Sequence, residues 1–212
     1  MNIRLSYFDA PFWRAETSRI ALHLGGIPFE DERMSHDQFR DLKEAGKLPY
    51  GQLPILEVDG VVIAQSLAIV RFCGRQSGLY PMENAVDAAR VDEILDTASQ
   101  ITELLHPSMR EEDMEKRAAM RQKLATETLP SWLGFLAKRL VSSGETHYFV
   151  GGQLTVADLA IWRLLGWISG GYLDGIPTDV INVQPVLNTH FQNIDQHSGV
   201  RLWMDQHYLS GV

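Results

Sequence analysis

Residues 51–64, GQLPILEVDGVVIA, decide the fold of the first third of the chain. Residues 55–58 and 61–64 are short apolar runs that read as strands, and the Asp59-Gly60 pair between them is the strongest short signal for a β-hairpin. A helical stretch follows at once, beginning at Ser66 and stopped by Gly78. The sequence therefore predicts an antiparallel hairpin that is covered by a helix.

The sequence before this hairpin alternates between strand and helix patterns. Polar and apolar residues alternate over 2–8, as in a half-buried strand, and residues 14–24 form a helical stretch that Gly25-Gly26 stops. A short strand over 29–34 and a polar helix over 35–45 follow. A parallel βαβ unit, an antiparallel hairpin and a covering helix form a compact α/β layer, which resembles the thioredoxin fold.

Beyond a linker at residues 79–84, only helix patterns remain. Pro107 is expected to kink or end the first long helix near its tip, and Pro130 to bend the second, because proline lacks the helical N–H donor. The predicted helices cover residues 85–111, 113–142, 155–169 and 183–197. The predicted fold is therefore an α/β thioredoxin-like domain over residues 1–80 followed by an all-α domain over residues 85–212.

Composition excludes several classes of protein. With 45% hydrophobic and 22% charged residues among 212, the chain has the material for a packed core, and its net charge of −8 argues against nucleic-acid or anionic-membrane partners. The single cysteine, Cys73, reads as a buried apolar residue, and the absence of a possible internal disulfide favours a reducing, cytoplasmic compartment. We find no signal peptide, no membrane-spanning run and no histidine spacing typical of a metal site.

Several motifs together resemble the glutathione-transferase family. They are LSYF at residues 5–8, RAE at 14–16, the stretch 51–69 and TVAD at 155–158. The resemblance covers residues 1 to about 205 and is closest to the tyrosine-dependent classes, sigma in particular. It implies a cytoplasmic homodimeric enzyme that uses glutathione as co-substrate, has no prosthetic group and conjugates the thiolate to hydrophobic electrophiles in detoxification.

The resemblance assigns catalysis to Tyr7 and Arg14. The thiolate is the nucleophilic form of glutathione, so the enzyme must lower the pKa of the thiol. Tyr7 has a phenolic donor for the sulfur anion and ends the first strand, where α/β sheets place ligands. Arg14 is expected beside the tyrosine oxygen, where its charge would favour the thiolate, although a solvated arginine at a helix start is the alternative.

The expected glutathione contacts begin at the γ-glutamyl end. By resemblance, Gln65 and Ser66 hold the γ-glutamyl carboxylate, with Ser66 as the N-cap of a helix whose free N–H groups attract an anion. Gln52 precedes Leu53-Pro54, which resembles the family's cis-proline turn. In that turn the backbone of Leu53 pairs with the cysteinyl part of glutathione.

At the glycine end, Phe39 stands where sigma-like relatives have a tryptophan, and Lys43 matches a binding lysine by spacing. Lys47 could substitute for Lys43, and both lysines could also be surface charges. Gln100 stands where related classes have an acidic residue that crosses the dimer interface, and Asp96 could compensate for the missing charge.

Three further assignments concern other parts of the molecule. Tyr50 resembles the aromatic key that some classes insert into the neighbouring subunit, or it packs on its own loop. Thr155 and Asp158 are expected to form a structural capping box. The electrophile pocket should lie between the domains, and its candidate walls are Phe8, Phe12, Trp13, His106 and Met109.

Two rival functions remain at this point. One is a glutathione-dependent isomerase of prostaglandin type, a narrower version of the same chemistry. The other is a non-catalytic ligand-binding or structural relative, which the retention of Tyr7, Gln65 and Ser66 disfavours. A glutathione-dependent disulfide reductase would require a cysteine or serine at position 7.

Overall fold

The computed structural model describes residues 1–142, 144 and 147–209. Residues 143, 145, 146 and 210–212, which the sequence assigns to the second predicted domain, lie outside the described residues. Within the described part, a four-stranded sheet and its three helices come first, and a set of helices follows from Ala85 onward.

The sheet contains β1 (Ile3–Phe8), β2 (Glu30–Met34), β3 (Ile55–Val58) and β4 (Val61–Ala64) in the spatial order β2-β1-β3-β4. β1 pairs in parallel with β2 and antiparallel with β3, so the sheet is mixed, as the thioredoxin-like prediction requires. Leu5 lies opposite Leu56, and both are fully buried, so this pair sets the register of the central strands. Asp59 and Gly60 both have positive φ values, 49° and 85°, in the turn of the β3–β4 hairpin.

The helices of this first part are α1 (Trp13–Leu24), α2 (His36–Glu44) and α3 (Ser66–Ser77). α1 and α3 pack against each other, and Ile20 and Ile69 are completely buried in their contact with the core. α2 is different because none of its residues is buried. It is held at its start by a capping box in which Ser35 and Gln38 exchange side-chain and backbone hydrogen bonds.

Among the residues that the structure describes, all the secondary-structure elements of the second part are helical. α7 is its buried centre and contacts α1, α4 and α8. The sequence did not predict α9, a seven-residue helix that packs on α1. The elements are α4 (Ala85–Arg110), α5 (Met114–Lys123), a π-helical turn (Leu124–Thr128), α6 (Leu129–Val141), α7 (Val156–Ser169), a 3₁₀ turn (Val180–Val183), α8 (Pro185–Asp195), α9 (Ser198–Met204) and a final π-helical turn (Asp205–Leu209).

Both prolines lie near a helix end, Pro107 near the tip of α4 as predicted and Pro130 at the start of α6. α4 continues for three residues beyond Pro107 and ends at Arg110, so the proline lies inside the last turn rather than ending the helix. Pro130 lies at the start of α6, directly after the π-helical turn, so the helix predicted over 113–142 is divided there. The widened turn lies where the missing N–H of Pro130 leaves a helical carbonyl without its usual donor.

The predicted capping box at the start of α7 is confirmed. The carboxylate of Asp158 is fully buried, and its Oδ2 accepts hydrogen bonds from the backbone N–H and the hydroxyl of Thr155, both at 2.8 Å. Its Oδ1 accepts from the backbone N–H of Phe149 at 2.8 Å and from Nε2 of His190 at 3.1 Å. Asp158 therefore joins α7, α8 and the segment before α7.

A buried polar cluster ties the end of the chain to α1. Arg19 and Glu16 are both fully buried on α1, and Arg19 binds Glu16 at 3.1 Å and Asp31 of β2 at 2.7 Å. Trp203 of α9 donates its indole N–H to Glu16, and the hydroxyl of Tyr208 donates to the same carboxylate at 2.6 Å. A carboxylate buried among these donors is satisfied by residues from both ends of the sequence.

Candidate functional site

Two cavities meet at the carboxyl end of β1, between the sheet and the helical part. The first, which we call the polar groove, has a volume of about 380 Å³, and its walls include Arg14, Gln52, Leu53 and Glu103. The second, the apolar cavity, has a volume of about 370 Å³ and extends toward α7. Tyr7, Phe12 and His106 line both cavities.

Tyr7 lies at the junction of the two cavities and is only 7% exposed. Burial raises the pKa of its hydroxyl above the ordinary value, and the charges of Arg14 and then Arg19 partly oppose that rise. Arg19 is anchored by the backbone carbonyls of Phe8 and Ala10, so it also fixes the loop that follows β1. At neutral pH the phenol is therefore protonated and can donate a hydrogen bond into the cavities.

Arg14 is held at the groove by a carboxylate that the sequence did not single out. Its Nη2 lies 3.0 Å from Oε1 of Glu103 on α4, whose other oxygen lies 3.1 Å from Nδ1 of His106. Burial alone would raise the pKa of Glu103. The hydrogen bonds and charges of His106, and to a smaller extent those of Arg14, outweigh burial, so the pKa of Glu103 lies below its ordinary value. The spacing of Glu103 and His106, three residues apart on one helix, was the available signal for this cluster.

Gln65 and Ser66 lie together where β4 leads into α3, beside Arg14 and Pro54. The prediction that Ser66 is the N-cap is wrong, because Gln65 occupies that position and Ser66 is the first residue of the helix. Gln65 has a φ of 74°, a conformation that costs energy for a residue with a Cβ and is often kept at ligand sites. The backbone N–H of Ser66 is in the first turn, where helical N–H groups are free to bind an anion.

The Leu53-Pro54 peptide bond is cis, as the sequence predicted. Leu53 lines both the polar groove and the narrow pocket that contains Gln65 and Ser66, and Gln52 does the same. The two predicted binding segments, 52–54 and 65–66, are therefore brought together on one side of the groove.

Phe39 lines the polar groove, and its ring packs edge-on against Phe8 with the centroids 5.3 Å apart. The ammonium of Lys43 lies 5.9 Å from the centre of the Phe39 ring. Lys47 is exposed and is not among the residues that line the groove. Lys43 is also exposed and does not itself line the groove, but it lies beside Phe39, which does.

The predicted walls of the electrophile pocket are brought together with one exception. Phe12 and His106 line both cavities, Phe8 lines the polar groove, and Met109 lines the apolar cavity. The prediction for Trp13 is wrong. Its side chain is fully buried, and its indole N–H donates to the Thr102 hydroxyl at 2.9 Å, because the first residue of α1 is directed into the core against α4.

Five wall residues of the apolar cavity were missed: Ala10, Pro11, Arg163, Trp167 and Tyr172. Arg163 and Trp167 lie one turn apart on α7, and the ring of Trp167 packs edge-on against Phe12 with the centroids 4.9 Å apart. The sequence of α7 is so apolar that it indicated a buried helix. No local signal therefore showed that one edge of it faces a cavity.

Comparison with known families gives two matches. The family model described as glutathione S-transferase, N-terminal domain, matches residues 3–75, and the one described as glutathione S-transferase, C-terminal domain, matches residues 96–207. The second match alone covers more than half of the chain. This chain belongs to the glutathione S-transferase family. The sequence-based prediction of the family, its fold and its enzymatic class is thereby confirmed.

Individual relatives agree with the assignment of this glutathione S-transferase. It is 34% identical to glutathione S-transferase 1 of Ascaris suum over 211 residues, 95% of this chain and 94% of the relative. It is 36% identical to hematopoietic prostaglandin D synthase of Gallus gallus over 157 residues, 74% of each chain. The crystal structure of the glutathione S-transferase from Ascaris lumbricoides superposes with a TM-score of 0.83 at 32% identity, covering 98% of each chain.

The residues expected at a subunit interface lie apart from both cavities of this glutathione S-transferase. Gln100 is exposed on α4, and Asp96 is bound by Arg71 of α3 at 3.2 Å, so Asp96 already has a cationic partner. Tyr50 is 66% exposed. Among the described residues no three histidine, cysteine, aspartate or glutamate side chains form a possible metal site, and no helix is both long and apolar enough to cross a membrane.

Proposed function

We propose that this glutathione transferase conjugates the thiolate of glutathione to hydrophobic electrophiles, as a detoxifying enzyme of the cytoplasm. The observation that carries the proposal is the position of Tyr7. Its side chain is buried and lines both the polar groove and the apolar cavity. A polar tripeptide and an apolar second substrate can then meet at one phenol. The single buried cysteine is consistent with a reducing compartment.

Glutathione would lie along the polar groove. Its γ-glutamyl carboxylate would bind at Gln65 and Ser66, supported by the free N–H groups of the α3 N-terminus. The cysteinyl part would follow the backbone of Leu53 next to Gln52, and the glycine carboxylate would lie near Phe39 and Lys43. This orientation brings the thiol to the carboxyl end of β1.

The chemistry needs a thiolate near neutral pH. Tyr7 would donate its hydroxyl hydrogen to the sulfur anion, which stabilises the ionised form and lowers the pKa of the bound thiol. The charge of Arg14, which already acts on Tyr7, would favour the same anion. The thiol proton leaves to solvent, the sulfur attacks the electrophilic carbon, and holding both substrates together supplies the remaining acceleration.

Replacing Tyr7 with phenylalanine tests this mechanism. The variant removes one hydroxyl at a buried position, and we expect the pKa of the bound thiol to rise and conjugation at neutral pH to slow by about 10²-fold. Ultraviolet absorbance of the thiolate against pH measures the first effect, and turnover of 1-chloro-2,4-dinitrobenzene measures the second. Tyr148→Phe, at a partly buried tyrosine that lines neither cavity, is the matched control. Undiminished turnover by the Tyr7 variant would overturn the mechanism.

We also propose a homodimer, with residues 1–80 as the glutathione-binding domain and residues 85–212 supplying the electrophile cavity and dimer contacts. A groove of about 320 Å³ lies between α4 and α6, and its apolar walls include Ile94, Trp132 and Phe135. Phe135 is 57% exposed, so this groove presents an aromatic ring to solvent. This groove could accept the exposed ring of Tyr50 from a second subunit, and Gln100 on the same α4 would then face the partner's glutathione.

A second candidate activity is isomerisation of a lipid endoperoxide with glutathione as cofactor. The likeness to hematopoietic prostaglandin D synthase of Gallus gallus favours it. Product analysis after incubation with prostaglandin H₂ separates the two activities, because isomerisation consumes no glutathione. A non-catalytic ligand-binding relative would instead bind glutathione and turn over neither substrate.

A further inference from the structure

Arg163 places a guanidinium in the wall of the apolar cavity. Its Nε and Nη2 both donate to the backbone carbonyl of Pro11, at 3.0 and 2.7 Å, and the group lies 4.8 Å from the centre of the Trp162 ring. Among the residues that the structure describes, no carboxylate forms an ion pair with it at 4 Å or less. Its partners in the protein are thus a neutral carbonyl and an aromatic ring.

The other shielded arginines on this side of the molecule have anionic partners. Arg19 binds Glu16 and Asp31, and Arg33 binds Asp9 and Asp31. A buried charge without a counter-ion costs free energy, and proteins usually offset that cost with a carboxylate or a ligand. Burial lowers the pKa of Arg163, and the more distant charge of Glu16 opposes the fall only in part. The guanidinium still remains a cation at any working pH.

The rest of the cavity wall explains what kind of molecule would supply the counter-ion. Phe12, Met109 and Trp167 contribute apolar surface, and the lining contains no aspartate or glutamate. Tyr7 belongs to the same lining, so a molecule of moderate size could contact Arg163 and still present an atom to the Tyr7 hydroxyl. A cationic group in a mostly apolar cavity favours an amphipathic anion over a neutral hydrocarbon.

We propose that the second substrate of this enzyme is an apolar electrophile that carries a carboxylate, and that Arg163 is the residue that binds this carboxylate. The proposal rests on the conjugating function proposed above, and it further specifies that the electrophile is an anion. The guanidinium keeps its hydrogen bonds to Pro11 through Nε and Nη2 and can offer its remaining N–H groups to the substrate. Arg163 is then a specificity-determining residue.

A matched pair of electrophiles tests the proposal. Ethacrynic acid and its methyl ester have the same electrophilic carbon and differ in the charge of the carboxyl group. For each enzyme variant, the measured quantity is the ratio of kcat/KM for the acid to kcat/KM for the ester. We expect the wild-type ratio to exceed one and to fall about tenfold or more in Arg163→Gln, the loss typical of a hydrogen-bonded charge pair.

Two further variants separate charge recognition from a structural role. Arg163→Lys keeps the cation, so it should retain a ratio closer to wild type than the glutamine variant. Lys123→Gln removes an exposed cation of α5 and should leave the ratio unchanged. In the wild type at saturating glutathione, added salt should lower the ratio for acid over ester, a measurement that needs no variant.

The outcomes are distinguishable. Equal losses of kcat/KM for acid and ester in Arg163→Gln would mean that Arg163 acts by holding Pro11. Either that result or a salt-independent wild-type ratio near one would overturn the proposed role of Arg163, and it would leave the conjugating function intact. Failure of the wild type to conjugate either compound or a neutral aryl halide would instead contradict the conjugating function itself.

Discussion

The charge of Arg14 acts directly on the phenol that we place at the sulfur. It is the largest influence that lowers the pKa of Tyr7 against the effect of burial, and Glu103 fixes its guanidinium at 3.0 Å. A thiolate beside the same phenol would feel this charge as well. The effect of Arg14 on catalysis should therefore depend on pH.

Arg14→Gln should raise the pKa of the bound glutathione thiol by about one unit and slow conjugation about tenfold at neutral pH. Because the lost charge favours the ionised thiol, the deficit should be present below the new pKa and disappear as the pH rises through it. The pH profile of kcat/KM measures this recovery. Arg40→Gln, which removes an exposed arginine of α2, is the control. A deficit that is independent of pH would contradict the electrostatic role.

Cys73 is fully buried on α3, and burial raises the pKa of its thiol to about 12. At mildly alkaline pH the thiol is therefore protonated as well as inaccessible, and we expect no reaction with Ellman's reagent until the protein is unfolded. The double variant Cys73→Ser/Gln76→Cys, which moves the thiol to an exposed position on the same helix, should react at once. Stoichiometric reaction of native wild-type protein would show that α3 opens readily.

At the scale of elements, the start of α7 depends on one carboxylate. Asp158 accepts hydrogen bonds from the segment before α7, from the α7 N-terminus and from His190 of α8, in a site without solvent. Its removal would leave several buried donors without an acceptor, which costs more than the loss of an exposed cap.

Asp158→Ala should lower the free energy of unfolding by about 3 kcal/mol. Asp113→Ala is the matched control, since Asp113 caps α5 at an exposed site by accepting from two backbone N–H groups, and it should cost about 1 kcal/mol. Denaturant-induced unfolding followed by circular dichroism measures both. Equal losses would mean that the Asp158 contacts to Phe149 and His190 contribute little.

Local signals explain which elements the sequence could predict. The Asp59-Gly60 turn and the Thr155–Asp158 capping box each depend on no more than four consecutive residues, and both were predicted correctly. α9 was missed because only seven residues form it, and its position depends on packing against α1 rather than on a periodic pattern of its own.

At the scale of the whole molecule, the site residues that the sequence missed are those whose neighbours are distant in the chain. Arg163 contacts Pro11 across 152 positions, and Glu103 contacts Arg14 across 89. Trp13 was assigned to a pocket because its neighbour Phe12 belongs there, but the start of α1 turns the two side chains in different directions. The sequence predicted every residue that lines the polar groove except Glu103 and Arg110, while most walls of the apolar cavity required the packing of α4 and α7 against the sheet.

The proposed dimer makes a prediction at the same scale. Tyr50→Ala should weaken self-association about thirtyfold or more, as expected for loss of a central aromatic contact. Sedimentation equilibrium measures the dissociation constant, and Tyr172→Ala, at a similarly exposed tyrosine, is the control. A monomeric wild type, or a Tyr50 variant that dimerises normally, would contradict the key-and-groove arrangement.

The buried carboxylate of Glu16 has a consequence for biosynthesis. Glu16 belongs to α1, yet its donors Trp203 and Tyr208 lie 187 and 192 positions later in the chain. Until they emerge, the nascent α1 carries a carboxylate that Arg19 compensates from within the same helix. We therefore expect α1 and the sheet beside it to reach their final rigidity only after residues 203–208 have left the ribosome, rather than as an independent unit earlier in elongation.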